Sequence, residues 1–467
     1  MIQLYWKNAT AAVVGARHGM SPGDMEKVDA QIRSAHQAVV EQVRAGKLGY
    51  AKLPVRDDYK QQVRALVDRY RKDATDLVVL GIGGSALGNL ALQAALNPSN
   101  YNSLTDRVRK GPRLHVLDNV DPALVSETLK GLTRRLPTTV FNVISKSGET
   151  AETASQFMIV RELLRRKVPG NWAERIVATT DREKGTLHDI ARADGYAMLP
   201  VPGDVGGRFS VLSPVGLFSA AMCGIDIDEL LAGAAAMKEK VENAGDWRRN
   251  PACVLAAIKY VMFTAKKKPM HVMMPYSNRL YLLSDWYRQL WAESLGKAVD
   301  RKGNEIFTGP TPIKALGATD QHSQIQLYRE GPNDKFTVFL EVETHPGETR
   351  VPDVFSDVPG LAYLRRKKLS KLLTAEKQAT EYAMAHSKRP TATIRFPEIR
   401  PATVGQFLYL YEFTTSLMGE LLDINPYDQP AVELGKQATF GLMKREGYEK
   451  IGRKIRRFSK VDEQFLA

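Results

Sequence analysis

A chain of 467 residues exceeds one ordinary core, so two domains, or one large fold made of two halves, are expected. Its 43% hydrophobic and 25% charged residues are those of a globular protein and exclude disordered and fibrous classes. The formal charge of +14 suits nucleic acid, an anionic membrane or a small anionic substrate.

The basic runs Arg365-Arg366-Lys367-Lys368, Lys266-Lys267-Lys268 and 453–457 have no aromatics interleaved for base stacking and read as solvated surface. Neither a nucleic-acid partner nor a membrane partner is expected. The start of the chain lacks the basic, apolar and small-residue pattern of a signal peptide. The charge-free stretches 77–105 and 209–225 are broken by Gly, Ser, Asn or Pro, so neither reads as a membrane span. Cys223 and Cys253 sit in apolar surroundings and read as buried free thiols of a reducing compartment. These features together point to a cytoplasmic protein.

In chain order, residues 25–43 and 57–70 space their apolar residues as helices do. From residue 77 the pattern changes. Short β-rich runs at 77–80, 114–117, 140–144, 176–179 and 197–201 alternate with helical stretches at 86–96, 122–129, 150–165 and 187–193. Such alternation predicts a parallel, doubly wound sheet covered on both faces. A second round follows, with helices at 230–243, 251–264, 279–291, 362–385 and 404–422 and strands at 271–274, 336–342 and 392–396. The chain thus reads as two α/β halves in tandem, joined near Gly245.

Ligands of open α/β sheets bind at the carboxyl ends of strands, where helix N-termini present unpaired N–H groups. Two loops hold that position: Gly81-Ile82-Gly83-Gly84-Ser85-Ala86-Leu87-Gly88, and Ser145-Lys146-Ser147-Gly148-Glu149-Thr150. In the second, Ser145, Ser147 and Thr150 supply hydroxyls, Gly148 admits close backbone approach, Lys146 adds a point charge, and a helix begins at about Thr150. A merely capped helix start is the plainer reading of the same residues. The first loop fits G-x-G-x-x-A, but Asp118, the acid that ends the next strand, lies too far on for a ribose partner. With no G-x-x-x-x-G-K-[ST] motif either, small phosphate esters remain the best ligand class.

Together these loops resemble the sugar isomerase (SIS) fold, in which a hexose phosphate sits between them. Further segments are similar to the phosphoglucose isomerase family: 204–216 and 419–436 to its two signatures, 289–297 and Asp320-Gln321-His322-Ser323 to its catalytic segments. Ser147-Gly148-Glu149 and the His322 segment match its shorter bacterial branch. The resemblance implies two tandem SIS domains, each a doubly wound parallel-sheet α/β/α sandwich, with helical N- and C-terminal extensions. The expected division is 1–70 for the helical segment, 71–245 for the first SIS domain, 246–444 for the second and 445–467 for the basic tail.

The same resemblance implies interconversion of glucose 6-phosphate and fructose 6-phosphate through a cis-enediolate, in glycolysis and gluconeogenesis. Glu293 is expected to move the proton and Arg208 to stabilise the enediolate. His322, entering from a second subunit of a homodimer, and Lys436 are expected to open the ring. Gln289 is expected on a substrate hydroxyl and Gln429 at the phosphate end, with Gly84, Ser85, Ser145, Lys146, Ser147 and Thr150 in the phosphate site. The chemistry requires no metal or cofactor, and none is expected. The competing readings are a non-catalytic sugar-phosphate-binding protein on the same fold and, more remotely, a nicotinamide-dependent dehydrogenase.

Overall fold

The computed structural model describes residues 1–243 and 245–467. Its strands, in chain order, are β1 (Gln3–Tyr5), β2 (Asp76–Leu80), β3 (Arg113–Leu117), β4 (Thr139–Ile144), β5 (Ile176–Thr180) and β6 (Ala197–Pro200), then β7 (Met270–Pro275), β8 (Lys297–Val299), β9 (Glu305–Thr308), β10 (Thr311–Lys314), β11 (Lys335–Thr344) and β12 (Thr391–Glu398). The first sheet is ordered β3-β2-β4-β5-β6 and is parallel throughout. The second is ordered β1-β12-β11-β7-β10, with β1 alone running antiparallel on its edge. Strands β8 and β9 form a separate antiparallel ribbon.

The apolar runs predict β2 and β4 well because parallel strands buried on both faces need every side chain apolar or paired. All of β2 is buried. Leu77 and Val79 join the large central core, while Val78 and Leu80 join a second cluster with Phe157, Val160 and Leu164 from the Ala151–Lys167 helix. That central core is continuous across both halves. It gathers Leu92 of the Gly84–Leu96 helix, Phe218 of Pro214–Met222, Leu290 of Tyr281–Leu295 and Phe407 of Pro401–Leu421. The charge-free stretch near 209–225 becomes the short, wholly buried Pro214–Met222 helix. Among the described residues no helix is long and apolar enough to cross a membrane. Cys223 and Cys253 are buried free thiols, and burial pushes the Cys223 thiol up to about 12.

Three differences from the sequence reading have physical causes. The opening residues are not all helical, because β1 pairs along β12 and closes the outer edge of the second sheet. The edge strand β10 carries Pro312 and only four residues, a pattern without a strand signature of its own. The helix expected from residue 362 begins at Leu369, because the preceding basic run bends through Arg366, whose φ is 57°.

The first sheet's order sets two of its loops side by side. Strand β2 lies between β3 and β4, so the chain reverses direction across the sheet at β2. The loops leaving β2 and β4 therefore emerge side by side, with Leu80 opposite Val143.

Candidate active site

The loop after β2 turns through Gly83, whose φ of 57° favours glycine, and enters the Gly84–Leu96 helix. A Cβ on Gly84 would lie 2.2 Å from the carbonyl carbon of Gly207 and 2.7 Å from the Arg208 nitrogen. Only glycine lets the first turn of this helix close on the Gly206-Gly207-Arg208 turn. A Cβ on Gly83 would stand 3.0 Å from Gln289 Nε2. One glycine loop thus touches both the arginine turn and the helix that carries Glu293. Ser85 belongs to the same first turn, its N–H closing on the Ile82 carbonyl at 3.1 Å.

The turn after β4 organises itself through its own hydroxyls. Ser145 Oγ accepts from the Gly148 N–H at 3.0 Å, and Ser147 Oγ accepts from the Glu149 N–H at 3.1 Å. Ser145 Oγ also donates to Thr150 Oγ1 at 3.4 Å. Gly148, at φ 78°, is pressed on Leu187, where a Cβ would come within 2.2 Å of the backbone nitrogen. Thr150 occupies the cap of the Ala151–Lys167 helix without a side-chain cap bond. The first N–H groups of that helix are therefore not satisfied by the cap side chain.

Lys146 has a different place from the one its charge suggests. Its Nζ donates to the Gly203 carbonyl at 2.6 Å and braces the turn against the segment after β6. Glu149 reaches outward, accepting from Arg445 at 2.7 Å and from Thr186 at 3.2 Å.

The third group of residues surrounds Arg208, which is 3% exposed. Its Nε donates to Ser294 Oγ at 2.7 Å and its Nη1 to Gln429 Oε1 at 2.8 Å. Its Nη2 donates to the carbonyls of Pro426 at 2.7 Å and Asp428 at 3.1 Å. Burial pulls the guanidinium's pKa down, and the charges of Glu293 and Asp428 pull it back up. Arg208 Nη1 lies 3.8 Å from Glu293 Oε2.

Glu293 lies near the end of the Tyr281–Leu295 helix, which Leu283, Trp286 and Leu290 anchor in the core. One turn earlier on the same face, Gln289 donates to Glu293 Oε2 at 3.1 Å. Gln289 Oε1 is buried without a hydrogen-bond partner. Gln289, Glu293, Lys297, Gln429 and Val432 line one cavity of about 680 Å³.

The single chain does not bring every expected residue to this cavity. His322 ends the short Thr319–His322 turn and is exposed, outside the cavity's lining. Lys436 lies on the Val432–Leu442 helix, half exposed, with its Nζ 2.7 Å from Glu433. Gln429, expected at the phosphate end, lines the cavity and accepts from Arg208 beside Glu293. Two residues were missed as site members. Lys297 and Ser294 both lie inside the segment 289–297, but only the folded contacts show that one lines the cavity and the other bonds Arg208.

The family profile described as phosphoglucose isomerase matches residues 49–451. The chain belongs to the phosphoglucose isomerase family. Within this family it is 46% identical to the glucose-6-phosphate isomerase of Carboxydothermus hydrogenoformans, over 92% of each chain. It is 41% identical to that of Rubrobacter xylanophilus, over 92% of this chain and 96% of the relative. Among solved structures, a hypothetical protein from Thermus thermophilus superposes with a TM-score of 0.81 at 34% identity, covering 95% of this chain and 100% of that one. The fold also matches a Chlamydia trachomatis glucose-6-phosphate isomerase with a TM-score of 0.74 at 24% identity, over 86% of this chain and 77% of that one. The cavity lies against the helix that carries Glu293.

Proposed function

We propose that this chain interconverts glucose 6-phosphate and fructose 6-phosphate through a cis-enediolate, with Glu293 carrying the proton between C1 and C2. One observation carries the reading. A buried guanidinium, Arg208, is held 3.8 Å from a carboxylate at the edge of a cavity, while four of its N–H donors are engaged by neutral partners. A carboxylate there serves as base, and the fixed cation beside it stabilises the negative charge that develops on the enediolate.

The phosphate is gripped by the hydroxyls of Ser145, Ser147 and Thr150, and by the helix starts at Gly84–Ser85 and Ala151. Lys146 braces that turn through Gly203. Gln289 receives a substrate hydroxyl on its free oxygen, and Gln429 fixes Arg208. Because the phosphate is remote from C1 and C2, its binding energy is available to orient the reacting end.

Ring opening falls to Lys436 and to His322 of a second copy of the chain, in a cytoplasmic homodimer with composite sites. The exposure of both residues in the single chain is consistent with this. The decisive assay supplies fructose 6-phosphate to the purified protein, with and without chelator, and follows glucose 6-phosphate. Absence of product sinks the reading. The composite site is tested by co-refolding Glu293→Gln with His322→Ala. Each is inactive alone, and mixed dimers regain one intact site if His322 crosses the interface. No recovery on mixing places both residues in one chain's site.

A further inference from the structure

A second cavity, of about 330 Å³, opens at the carboxyl ends of β5 and β6 and takes no part in the site described above. Four elements line it. Gln62 comes from the Asp57–Tyr70 helix and Asp181 with Arg182 from the loop after β5, while His188 with Arg192 comes from the Thr186–Asp194 helix and Leu199 from β6. The ground beyond the strand ends of a parallel sheet is where such folds bind ligands, and the volume is at the small end of ligand pockets.

The charges of this cavity do not balance. Arg182 and Arg192 are exposed, and among the described residues neither guanidinium pairs with a carboxylate. Four residues before Arg192, and so on the same helix face, the His188 side chain is 7% exposed, its Nδ1 2.9 Å from Asp189 Oδ1. The one carboxylate in the lining, Asp181, accepts on Oδ1 from the N–H groups of Glu183 at 3.0 Å and Lys184 at 3.3 Å. It is thus engaged by its own turn, and two guanidiniums against one carboxylate leave the cavity positive.

The segment that carries these side chains also braces the Ser145–Thr150 turn. The Asp181 N–H and Thr180 Oγ1 both donate to the Lys146 carbonyl at 3.2 Å, and the Thr186 N–H donates to the Ser147 carbonyl at 3.0 Å. Leu187, on which Gly148 is pressed, immediately precedes His188. Residues 180–188 therefore give their backbone to the turn and the side chains of Asp181, Arg182 and His188 to the cavity.

We propose that this cavity is a second anion site, which takes a small phosphate-bearing molecule between Arg182 and Arg192 while the Ser145–Thr150 turn is itself occupied. Guanidinium forks match phosphate oxygens, and the Gln62 amide adds a neutral donor from a third direction. The inference rests on the proposed substrate only for the choice of blocking ligand.

Calorimetric titration of the full-length protein with inorganic phosphate tests it. Wild type takes up two phosphates per chain, and one when saturating fructose 6-phosphate fills the turn. Arg182→Gln combined with Arg192→Gln weakens the second phosphate by at least ~10-fold, as loss of two charge-assisted contacts requires. Turnover of that variant without phosphate stays within about two-fold of wild type, because both side chains are exposed and outside the catalytic cavity. Arg182→Glu, which reverses one charge, reads the same loss should the double variant not fold. Complete displacement of phosphate from wild type by fructose 6-phosphate overturns the inference. Equal affinity of wild type and variants for the second phosphate also overturns it and marks an adventitious ion only. Two phosphates retained by wild type at saturating fructose 6-phosphate overturn instead the proposed substrate.

Discussion

Arg208 stands 3.8 Å from Glu293 without the two-pronged pairing that arginine usually makes with a carboxylate. Four of its N–H donors go to Ser294, Gln429 and the carbonyls of Pro426 and Asp428. The guanidinium is thereby fixed by neutral partners, and its approach to the carboxylate is a single contact at 3.8 Å.

Replacement of Arg208 by lysine removes the planar fork that makes four of these bonds. Activity is expected to fall by about 10²–10³-fold, the usual cost of losing a preorganised donor to a developing anion. Steady-state kinetics on a variant with a native circular dichroism spectrum checks it. Retention of near-normal kcat removes Arg208 from charge stabilisation.

Glu293→Gln preserves the bond with Gln289 but removes the base. Turnover should drop by at least ~10²-fold while fructose 6-phosphate still binds with nearly unchanged affinity. Rapid assay and titration calorimetry on the same preparation separate the two quantities. A large loss of binding with modest loss of turnover would place Glu293 among the substrate-holding groups.

Gly84→Ala tests the contact between the glycine loop and the arginine turn. The added methyl meets backbone, at 2.2 Å from Gly207, and backbone does not swing aside as a flexible side chain does. A destabilisation of ~1–3 kcal/mol is expected, as for overpacked interiors, with a loss of kcat as Arg208 is displaced. Chemical denaturation and kinetics read both effects, and an unchanged midpoint with full activity contradicts the contact.

Lys259 supplies a pH-dependent prediction away from the chemistry. It is 1% exposed, donates to Tyr287 OH at 3.1 Å and lies 4.5 Å from the Trp291 ring centre, with Phe336 and Tyr411 farther out. The titratable neighbour His271 is also buried, and neither of its ring nitrogens has a partner. Cation–π attraction of about 2 kcal/mol does not offset several kcal/mol of desolvation, so burial lowers the amine's pKa from 10.5 to about 7.

Between the folded value of about 7 and the unfolded value of 10.5, the unfolded chain binds the extra proton. Stability therefore rises with pH across that window, and the full penalty is present below it. Lys259→Met should be more stable at neutral pH by roughly 1–4 kcal/mol and should lack this slope. Urea denaturation of both proteins across the neutral-to-alkaline range tests it, and parallel stability curves count against a buried titrating amine.

The legibility of this chain divides along the range of the interactions. Strands β2 and β4 are evident from residues 77–80 and 140–144 because burial on both faces demands uninterrupted apolar runs. The Ser145–Thr150 turn is evident because hydroxyls, a glycine and a helix start stand together in one short segment. Strands β1 and β10 are not, since an edge position makes few demands on composition and their pairing partners lie far along the chain. Family resemblance supplies Glu293, His322 and Lys436, which periodicity does not distinguish from surface residues.

By itself, then, the sequence determined the alternating α/β architecture and the hydroxyl-rich Ser145–Thr150 turn at a helix start, through local backbone preference and apolar periodicity. Tertiary structure alone decided that Lys146 braces Gly203, that Gln429 serves Arg208, and that Lys297 joins the Glu293 helix to the Asp428 loop. These are contacts between side chains and segments distant in sequence. Their partners are chosen by where sheet order and the shared central core place each segment, and no local pattern encodes that choice.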